Sequence, residues 1–147
     1  MIKIKNIIYL VLILLMCGER VSAEINDALY ITVGNKPITK SDVKNEIKLI
    51  LILNNESYKK EKSEKYYDSA VKSLIERKIK LIEIEKNNID QLNEDDINKE
   101  LNRLAKNINV DLDTLKNIFS SNDLDFSAMK DRVKVELLWN SLIFNLY

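Results

Sequence analysis

The chain has 147 residues with 23 basic and 23 acidic side chains, no histidine, two glycines, one proline and one cysteine. Without histidine and without a second cysteine, the usual zinc sites, histidine-based catalytic triads and internal disulfides are excluded. Two glycines are too few for a glycine-rich phosphate loop, and the even charge balance lacks the basic excess typical of nucleic-acid binding. We therefore expect no catalytic site, metal, cofactor or nucleic-acid partner.

Residues 1–23 have the three parts of a secretory signal peptide. Lys3 and Lys5 form a positive n-region, an unbroken apolar stretch covers 7–16, and small residues at 21 and 23 precede a cleavage position. The apolar stretch has roughly half of the about 20 residues that a membrane-spanning helix needs. Cleavage is therefore favoured over a retained anchor, and we expect a periplasmic protein, which an uncut leader would tether to the membrane.

A lipoprotein signal is a weaker alternative for the same leader. Cys17 follows an apolar stretch, but Met16 is not the small residue that lipoprotein cleavage requires. Because Cys17 lies within the leader, residues 24–147 contain no thiol, and their stability has to come from packing. Cleavage removes three basic residues and one acidic residue, which leaves 20 and 22 and a net charge of −2. The remaining 124 residues fit one domain.

After the leader, the sequence predicts a short β-strand and a turn. Residues 29–33 alternate and are rich in β-branched side chains, which is typical of a strand. Gly34 and Asn35 form a two-residue turn, and 36–38 return as a short segment whose proline fits only a sheet edge. Thr39 then has the pattern of a helix N-cap, with an acidic residue three positions later as in a capping box.

Five helices follow, which makes the predicted fold class mainly α, a helical bundle with a short N-terminal strand and turn. The first helix runs from Thr39 to about Leu53, and the second covers roughly 63–87. Asn93, Asp111 and Asp125 begin the third, fourth and fifth helices. The predicted buried stripe of the second helix comprises Tyr67, Val71, Leu74, Ile75, Ile79 and Ile82.

Three short segments of the chain are rich in acidic residues and suggest calcium or metal sites at first sight. They are 94–96, 111–113 and 123–125. An EF-hand loop needs more alternating oxygen ligands and a central glycine, which none of them has. Each group lies where a helix begins, where carboxylates accept backbone N–H bonds and suit the helix dipole. The sequence therefore favours capping over metal binding.

Two segments carry more apolar surface than one buried stripe needs. The first helix is apolar around nearly its whole circumference, so it is either central in the core or has a second partner, with Ile47, Ile50 and Leu51 as candidate binding residues. The fifth helix has an inner stripe and a second stripe on roughly the opposite face. We interpret the second stripe as a docking surface, with a helix end folded back on its own domain as the alternative. Its candidate binding residues are Val135, Leu138, Trp139, Leu142 and Leu146.

The order of these features resembles a known family. The turn sequence over 31–39, the segment 74–79 (LIERKI) and the segment 92–97 (LNEDDI) are followed by an arginine-containing helix around Arg132. Over 28–140 the chain is similar to the N-terminal domain of the SurA-like periplasmic chaperones, which carry a V-N-G-x-P-I-T turn and an L-I-D-x-K-L segment. Gly34 and Asn35 stand where that family has Asn-Gly.

The resemblance implies a SurA-N-like fold and ATP-independent binding of unfolded outer-membrane protein precursors. Larger members of the family add parvulin-type prolyl isomerase domains, for which this chain has no remaining segment, so we expect no isomerase activity from it. The alternatives are an N-terminal fragment of a SurA-type isomerase and an assembly subunit. In the second alternative, strand 29–33 and the fifth helix pair with a partner chain or a second copy.

Overall fold

The computed structural model of the chain describes residues 28–146, apart from the side chain of Lys60. The predicted signal peptide over 1–23 lies outside the described residues. Two strands and five helices follow one another in chain order: β1 Leu29–Val33, β2 Lys36–Thr39, α1 Lys40–Leu53, α2 Lys60–Lys86, α3 Glu94–Asn107, α4 Leu112–Ser121 and α5 Phe126–Leu146. The described part is therefore mainly helical with one short two-stranded sheet, as the sequence predicts. None of its helices combines the length and the hydropathy that crossing a membrane requires.

The strands form an antiparallel hairpin that packs closely on α2. Val33 pairs with Lys36, so Gly34 and Asn35 form the two-residue turn that the sequence predicts. Of these two turn residues, Gly34 alone has a positive φ, at 58°, which fits a type II′ turn with glycine at its first central position. A Cβ atom at Gly34 would lie 3.0 Å from Cδ1 of Ile82. The order Gly-Asn therefore suits this turn, because glycine occupies the position that needs positive φ.

A β-bulge interrupts the hairpin at Tyr30. Leu29 pairs with Thr39 and Ile31 pairs with Ile38, which leaves Tyr30 as an extra residue on β1. Bulges redirect side chains relative to the regular alternation of a strand. The Tyr30 ring meets the ring of Tyr67 on α2 edge to face, with centroids 6.2 Å apart and an interplanar angle of 85°. The bulge thus brings a strand tyrosine against a helix tyrosine.

The predicted helix caps are confirmed by their hydrogen bonds. The backbone N–H of Asp42 donates to Oγ1 of Thr39, and the backbone N–H of Thr39 donates to Asp42, which completes the capping box. The Asn93 side chain accepts a bond from the backbone N–H of Asp95, and the Asp111 side chain accepts one from the backbone N–H of Thr114, so each caps its helix. Asp125 likewise accepts a bond from the backbone of residue 127. Apart from Asp123, the residues of the acidic groups that cap or lie in a first turn are therefore at helix starts. Within residues 28–146, no group of three or more carboxylates is placed to hold a metal ion.

The helix ends depend on asparagine and aspartate, because the chain is nearly free of glycine. Asn55, Asn88, Asn109 and Asp123 have φ between 51° and 60° and follow the last residues of α1, α2, α3 and α4. A left-handed residue is the usual way to end a helix, and asparagine tolerates that conformation better than other residues with a side chain.

α1 separates two hydrophobic cores, which explains why it is apolar on nearly all sides. Leu49 and Ile52 pack into a core formed with α3, α4 and the first half of α5. Ile47 and Leu51 face the opposite way, into a second core formed with β2 and the N-terminal half of α2. A third and smaller core joins the C-terminal half of α2 to α5. The sequence allowed either a central position in the core or a second partner for this helix, and the central position is the one observed.

The predicted buried stripe of α2 is wrong in part. Tyr67 and Ile79 are exposed, whereas Ala70 and Ile84 are buried. The prediction assumed one partner along the whole helix, but α2 packs on α1 over its N-terminal half and on α5 over its C-terminal half. Because the partner changes, the buried face rotates around the helix and a single stripe cannot describe it.

A buried ion cluster ties α1, α2 and α5 together. The Glu46 side chain of α1 is only 3% exposed. Its carboxylate accepts bonds from Arg77 of α2 at 2.6 Å and Arg132 of α5 at 2.7 Å, and from the Ser73 hydroxyl at 2.7 Å. A buried carboxylate is costly unless it is paired and hydrogen-bonded, and here each oxygen has a charged donor. The cluster therefore fixes the relative positions of the three helices.

Candidate functional site

The second stripe of α5 is covered by α2 along most of its length. Val135 is 5% exposed and Leu142 is 2% exposed, and both pack against Ile84 of α2. Leu138 and Trp139 are half-buried in the same cluster. The expectation that the domain cannot bury both stripes is therefore wrong, because α2 is long enough to cover the second one. The interpretation of these four residues as a free docking surface is corrected accordingly.

Only the tip of α5 remains uncovered in the described part of the chain. Phe144 is 86% exposed, and Ile143 and Leu146 are also exposed. Leu146 is thus the one predicted binding residue of the second stripe that lies on the surface.

A groove lined by tyrosines lies on the other side of the molecule, between β1, α1 and the N-terminal half of α2. Its walls are Tyr30 of β1, Tyr58 of the loop before α2, and Tyr67 of α2, which are 40%, 44% and 39% exposed. The buried side chains of Val43 and Ile47 form its floor. We call this site the tyrosine groove.

Tyr67 is the centre of the groove, because three adjoining hollows share its side chain. The hollow over Val43 and Ile47 has a volume of about 240 Å³. A second, of about 370 Å³, extends from Ile47 along the first turns of α2, and a third, of about 380 Å³, runs from Tyr30 along α2 to Ile75. All three hollows border the Tyr67 side chain.

The chemistry of the groove is apolar contact with hydrogen-bonding edges. The hydrogen bond with the Tyr30 side chain, together with desolvation, raises the pKa of the Tyr67 phenol above its ordinary value. Tyr67 therefore stays neutral over the whole physiological range and is not activated as a nucleophile. Tyrosines combine a large apolar ring with a polar hydroxyl, which suits contacts with polypeptide chains.

A strand edge lies beside the groove. β1 pairs with β2 along one edge, and no third strand of the described residues pairs with its other edge. Leu29 and Ile31 flank the bulged Tyr30, and both side chains are exposed. An unpaired strand edge is a template for another extended chain. The predicted exposure of strand 29–33 thus coincides with the tyrosine groove.

The loop that carries Tyr58 is fastened to the start of α2 by Glu56. The Tyr66 hydroxyl donates to the Glu56 carboxylate at 2.7 Å, and Lys62 lies 2.6 Å from its other oxygen. The bonds from Lys62 and Tyr66 lower the pKa of Glu56 below its ordinary value. Glu56 therefore stays ionised well into the acid range and holds this wall of the groove.

A larger hollow, of about 510 Å³, lies on α3 and is a poor candidate. All of its lining side chains are polar and belong to that one helix. Lys99 and Arg103, which line it, already pair with Asp96 and Glu100. A single helix face has no opposing wall, so this hollow is an ordinary solvated surface.

The structure separates the two sets of predicted binding residues. Ile47 forms part of the groove floor, whereas Ile50 and Leu51 lie deeper in the second core. Sequence reasoning missed Tyr30 and Tyr58 and assigned Tyr67 to the interior. A usable signal was present, because all four tyrosines of the described residues lie in this region. Three of them fall within the ten-residue segment 58–67, which is rich in lysine and glutamate.

No protein-family model, curated protein or solved structure matches this chain. Functional inference therefore depends on the geometry of the groove and on the motif resemblance in the sequence.

Proposed function

We propose that this protein is an ATP-independent periplasmic chaperone module that binds unfolded polypeptide segments, with outer-membrane protein precursors as its clients. The observation that carries the proposal is the tyrosine groove next to the free edge of β1. A strand edge supplies backbone hydrogen bonds that are independent of sequence, and an adjoining aromatic groove supplies apolar contact. Together they favour an extended, partly apolar chain as the ligand.

The division of the groove favours a polypeptide over a small molecule. The hollow over Val43 and Ile47, of about 240 Å³, is smaller than the about 300–1,000 Å³ of pockets that enclose drug-sized ligands, whereas the other two, of about 370 and 380 Å³, lie at the lower end of that range. Three hollows that share Tyr67 suit successive side chains of one extended segment.

The leader pattern over 1–23 and the resemblance to the N-terminal domain of SurA-like chaperones also support the proposal. Both point to a compartment without ATP, where binding and release depend on weak contacts alone. Affinity from partial apolar burial, with little sequence selection, is typical of such promiscuous binders.

The test is the aggregation of an unfolded outer-membrane β-barrel protein diluted out of urea, followed by light scattering. We expect the purified protein to slow aggregation at a few-fold molar excess. Tyr67→Ser removes the centre of the groove and should abolish most of this effect. Ile79→Ser is the matched control, because Ile79 is an exposed apolar residue of the same helix outside the groove. Equal aggregation with and without the protein would refute the chaperone proposal.

The second candidate function is permanent assembly with one partner, and the observation in its favour is the exposed apolar tip of α5. Phe144→Ser should then convert a stable dimer or complex into a monomer in size-exclusion chromatography with light scattering. A monomer at all concentrations, with Phe144→Ser indistinguishable from the natural protein, would remove this candidate.

A further inference from the structure

Two lysines without partners stand on the α1 side of the tyrosine groove. Lys40 and Lys44 line the hollow over Val43 and are exposed. Neither side chain has a hydrogen bond or ion pair within the described residues. They are four residues apart on one helix face, where like charges repel. Lys40 is also the first residue of α1, where the helix dipole disfavours a cation. Their placement is locally unfavourable in two ways.

Two carboxylates without partners stand on the α2 side of the same groove. Glu64 and Asp68 line the hollow that extends from Ile47 along α2, and both are exposed. They too are four residues apart on one face, and neither has a hydrogen bond or ion pair in the part of the chain that the structure describes. Tyr67 lies between the two pairs of charges, since its ring borders both hollows.

Several charges at contacts between elements are paired. Lys36 lies 2.5 Å from Glu85, and Lys80 lies 2.6 Å from Glu136. At the tyrosine groove, a basic pair and an acidic pair line two hollows that share Tyr67, which makes them complementary to a ligand that carries both charges.

From this arrangement we infer the kind of segment that the groove selects, an inference that rests on the proposed polypeptide binding. The preferred segment is extended and has an apolar or aromatic residue with an acidic residue on one side and a basic residue on the other. The apolar side chain lies against Tyr67, the carboxylate faces Lys40 and Lys44, and the cation faces Glu64 and Asp68. The groove therefore favours an apolar residue that has opposite charges on its two sides.

The test uses fluorescein-labelled peptides of equal length with one central phenylalanine and four compositions of flanking residues. They carry glutamate or glutamine on one side and lysine or glutamine on the other, and each is made in both orders because a strand can bind in either direction. Binding is measured by fluorescence anisotropy. We expect the doubly charged peptide to bind best and to lose about two- to fivefold in affinity for each charge replaced. The differences should shrink as salt is raised from about 20 mM to about 0.5 M.

Variants assign each preference to its residues. Lys40→Gln with Lys44→Gln should remove the preference for glutamate only, and Glu64→Gln with Asp68→Asn the preference for lysine only. Lys99→Gln with Lys106→Gln, two exposed lysines of α3, is the control and should change neither. Circular dichroism checks that each variant is folded.

The outcomes separate this inference from the proposed function. If all four compositions bind equally and Tyr67→Ser weakens them all, the groove binds polypeptides and the charge inference is wrong. A loss of affinity for all four compositions in the lysine variant would also overturn it. If no peptide binds, or if Tyr67→Ser leaves binding unchanged, the proposed site and the charge inference both fail.

Discussion

The two halves of α2 differ in whether their charged residues are paired with other elements and in whether their aromatic residues are exposed. The C-terminal half is fixed to its neighbours by ion pairs, with Arg77 bound to Glu46 and Lys80 bound to Glu136. The N-terminal half has no ion pair to another helix or strand among the described residues, and it carries the exposed Tyr67 with Glu64 and Asp68 beside it. The same helix is therefore a structural element at one end and a candidate binding surface at the other.

The difference between the two halves of α2 separates residues that stabilise the fold from residues that are available for binding. The apolar stripe of α5 looked like a surplus, yet the C-terminal half of α2 covers it, so its residues serve stability. Tyr67 of the N-terminal half has the spacing of a core residue in the sequence, yet it remains exposed. Exposure of aromatic residues next to unpaired charges is the combination that makes this half the candidate binding surface.

The largest effect is expected at Glu46, which binds Arg77 in the C-terminal half of α2. Glu46→Ala leaves Arg77 and Arg132 facing each other without their common partner. We expect the free energy of unfolding to fall by about 3–5 kcal/mol in urea titrations followed by circular dichroism. Glu76→Ala is the control, because Glu76 is exposed and its pair with Lys72 is 3.8 Å long, so its loss should stay below about 1 kcal/mol. Equal losses for the two variants would show that the buried cluster has no special role.

The next prediction tests whether the second stripe of α5 is core. Leu142→Ala should lower the free energy of unfolding by about 3 kcal/mol, because the buried side chain leaves a cavity against Ile84. Leu146→Ala on the same helix removes an exposed side chain and should change stability by less than about 0.5 kcal/mol. If Leu142→Ala were as mild as Leu146→Ala and instead reduced peptide binding, the docking interpretation of the stripe would be restored.

A smaller effect is expected at the hairpin turn. Gly34 in this turn lies near Ile82 in the C-terminal half of α2, and Tyr30 of the same hairpin lines the groove beside the N-terminal half. Gly34→Ala forces a side chain into positive φ and against Ile82, and should cost about 1–2 kcal/mol. Since β1 lines the groove, peptide binding should weaken as well, while the fluorescence of Trp139, the only tryptophan, should report an intact contact between α2 and α5. Asn35→Ala is the control, because Asn35 is not among the residues with positive φ. A change in Trp139 fluorescence without loss of binding would contradict this division.

Much of the fold could be predicted from the sequence, because its signals are local. The caps at Thr39, Asn93 and Asp111 depend on hydrogen bonds within four residues, and each is observed. The buried faces of α3 and α4 follow three- and four-residue spacing, because each of these helices packs into one core only.

The site could not be predicted in the same way, since it depends on contacts between distant segments. The position of Tyr30 is set by a bulge, which no local pattern in β1 announces. Tyr67 is exposed because the N-terminal half of α2 buries Ala70 and Leu74, with Tyr66 beside them, in the second core. The groove exists only where Tyr30, Tyr58 and Tyr67 meet, and they come from a strand, a loop and a helix.

The smallest effect concerns Glu56, which holds the loop of Tyr58 against the start of α2. The bonds from Lys62 and Tyr66 lower its pKa in the folded protein, so the folded state favours the carboxylate more than the unfolded state does. The stabilisation is therefore fully present above the unfolded pKa, near the ordinary value of 4.5, and is lost as the pH falls through the folded pKa. Acid should loosen this wall of the groove.

Glu56→Gln tests this sign, because glutamine can still accept the Tyr66 bond but cannot titrate. The melting temperature of the natural protein should exceed that of Glu56→Gln at pH about 7, and the difference should shrink towards pH about 3. Glu100→Gln is the control. The bond from Arg103 lowers the pKa of Glu100 too, but that carboxylate lies on α3, away from the groove. Both variants should therefore show a pH-dependent difference in melting temperature, whereas only Glu56→Gln should also weaken peptide binding at pH about 7. Weaker binding by Glu100→Gln would mean that the groove is coupled to the whole domain and that the two halves of α2 are not independent.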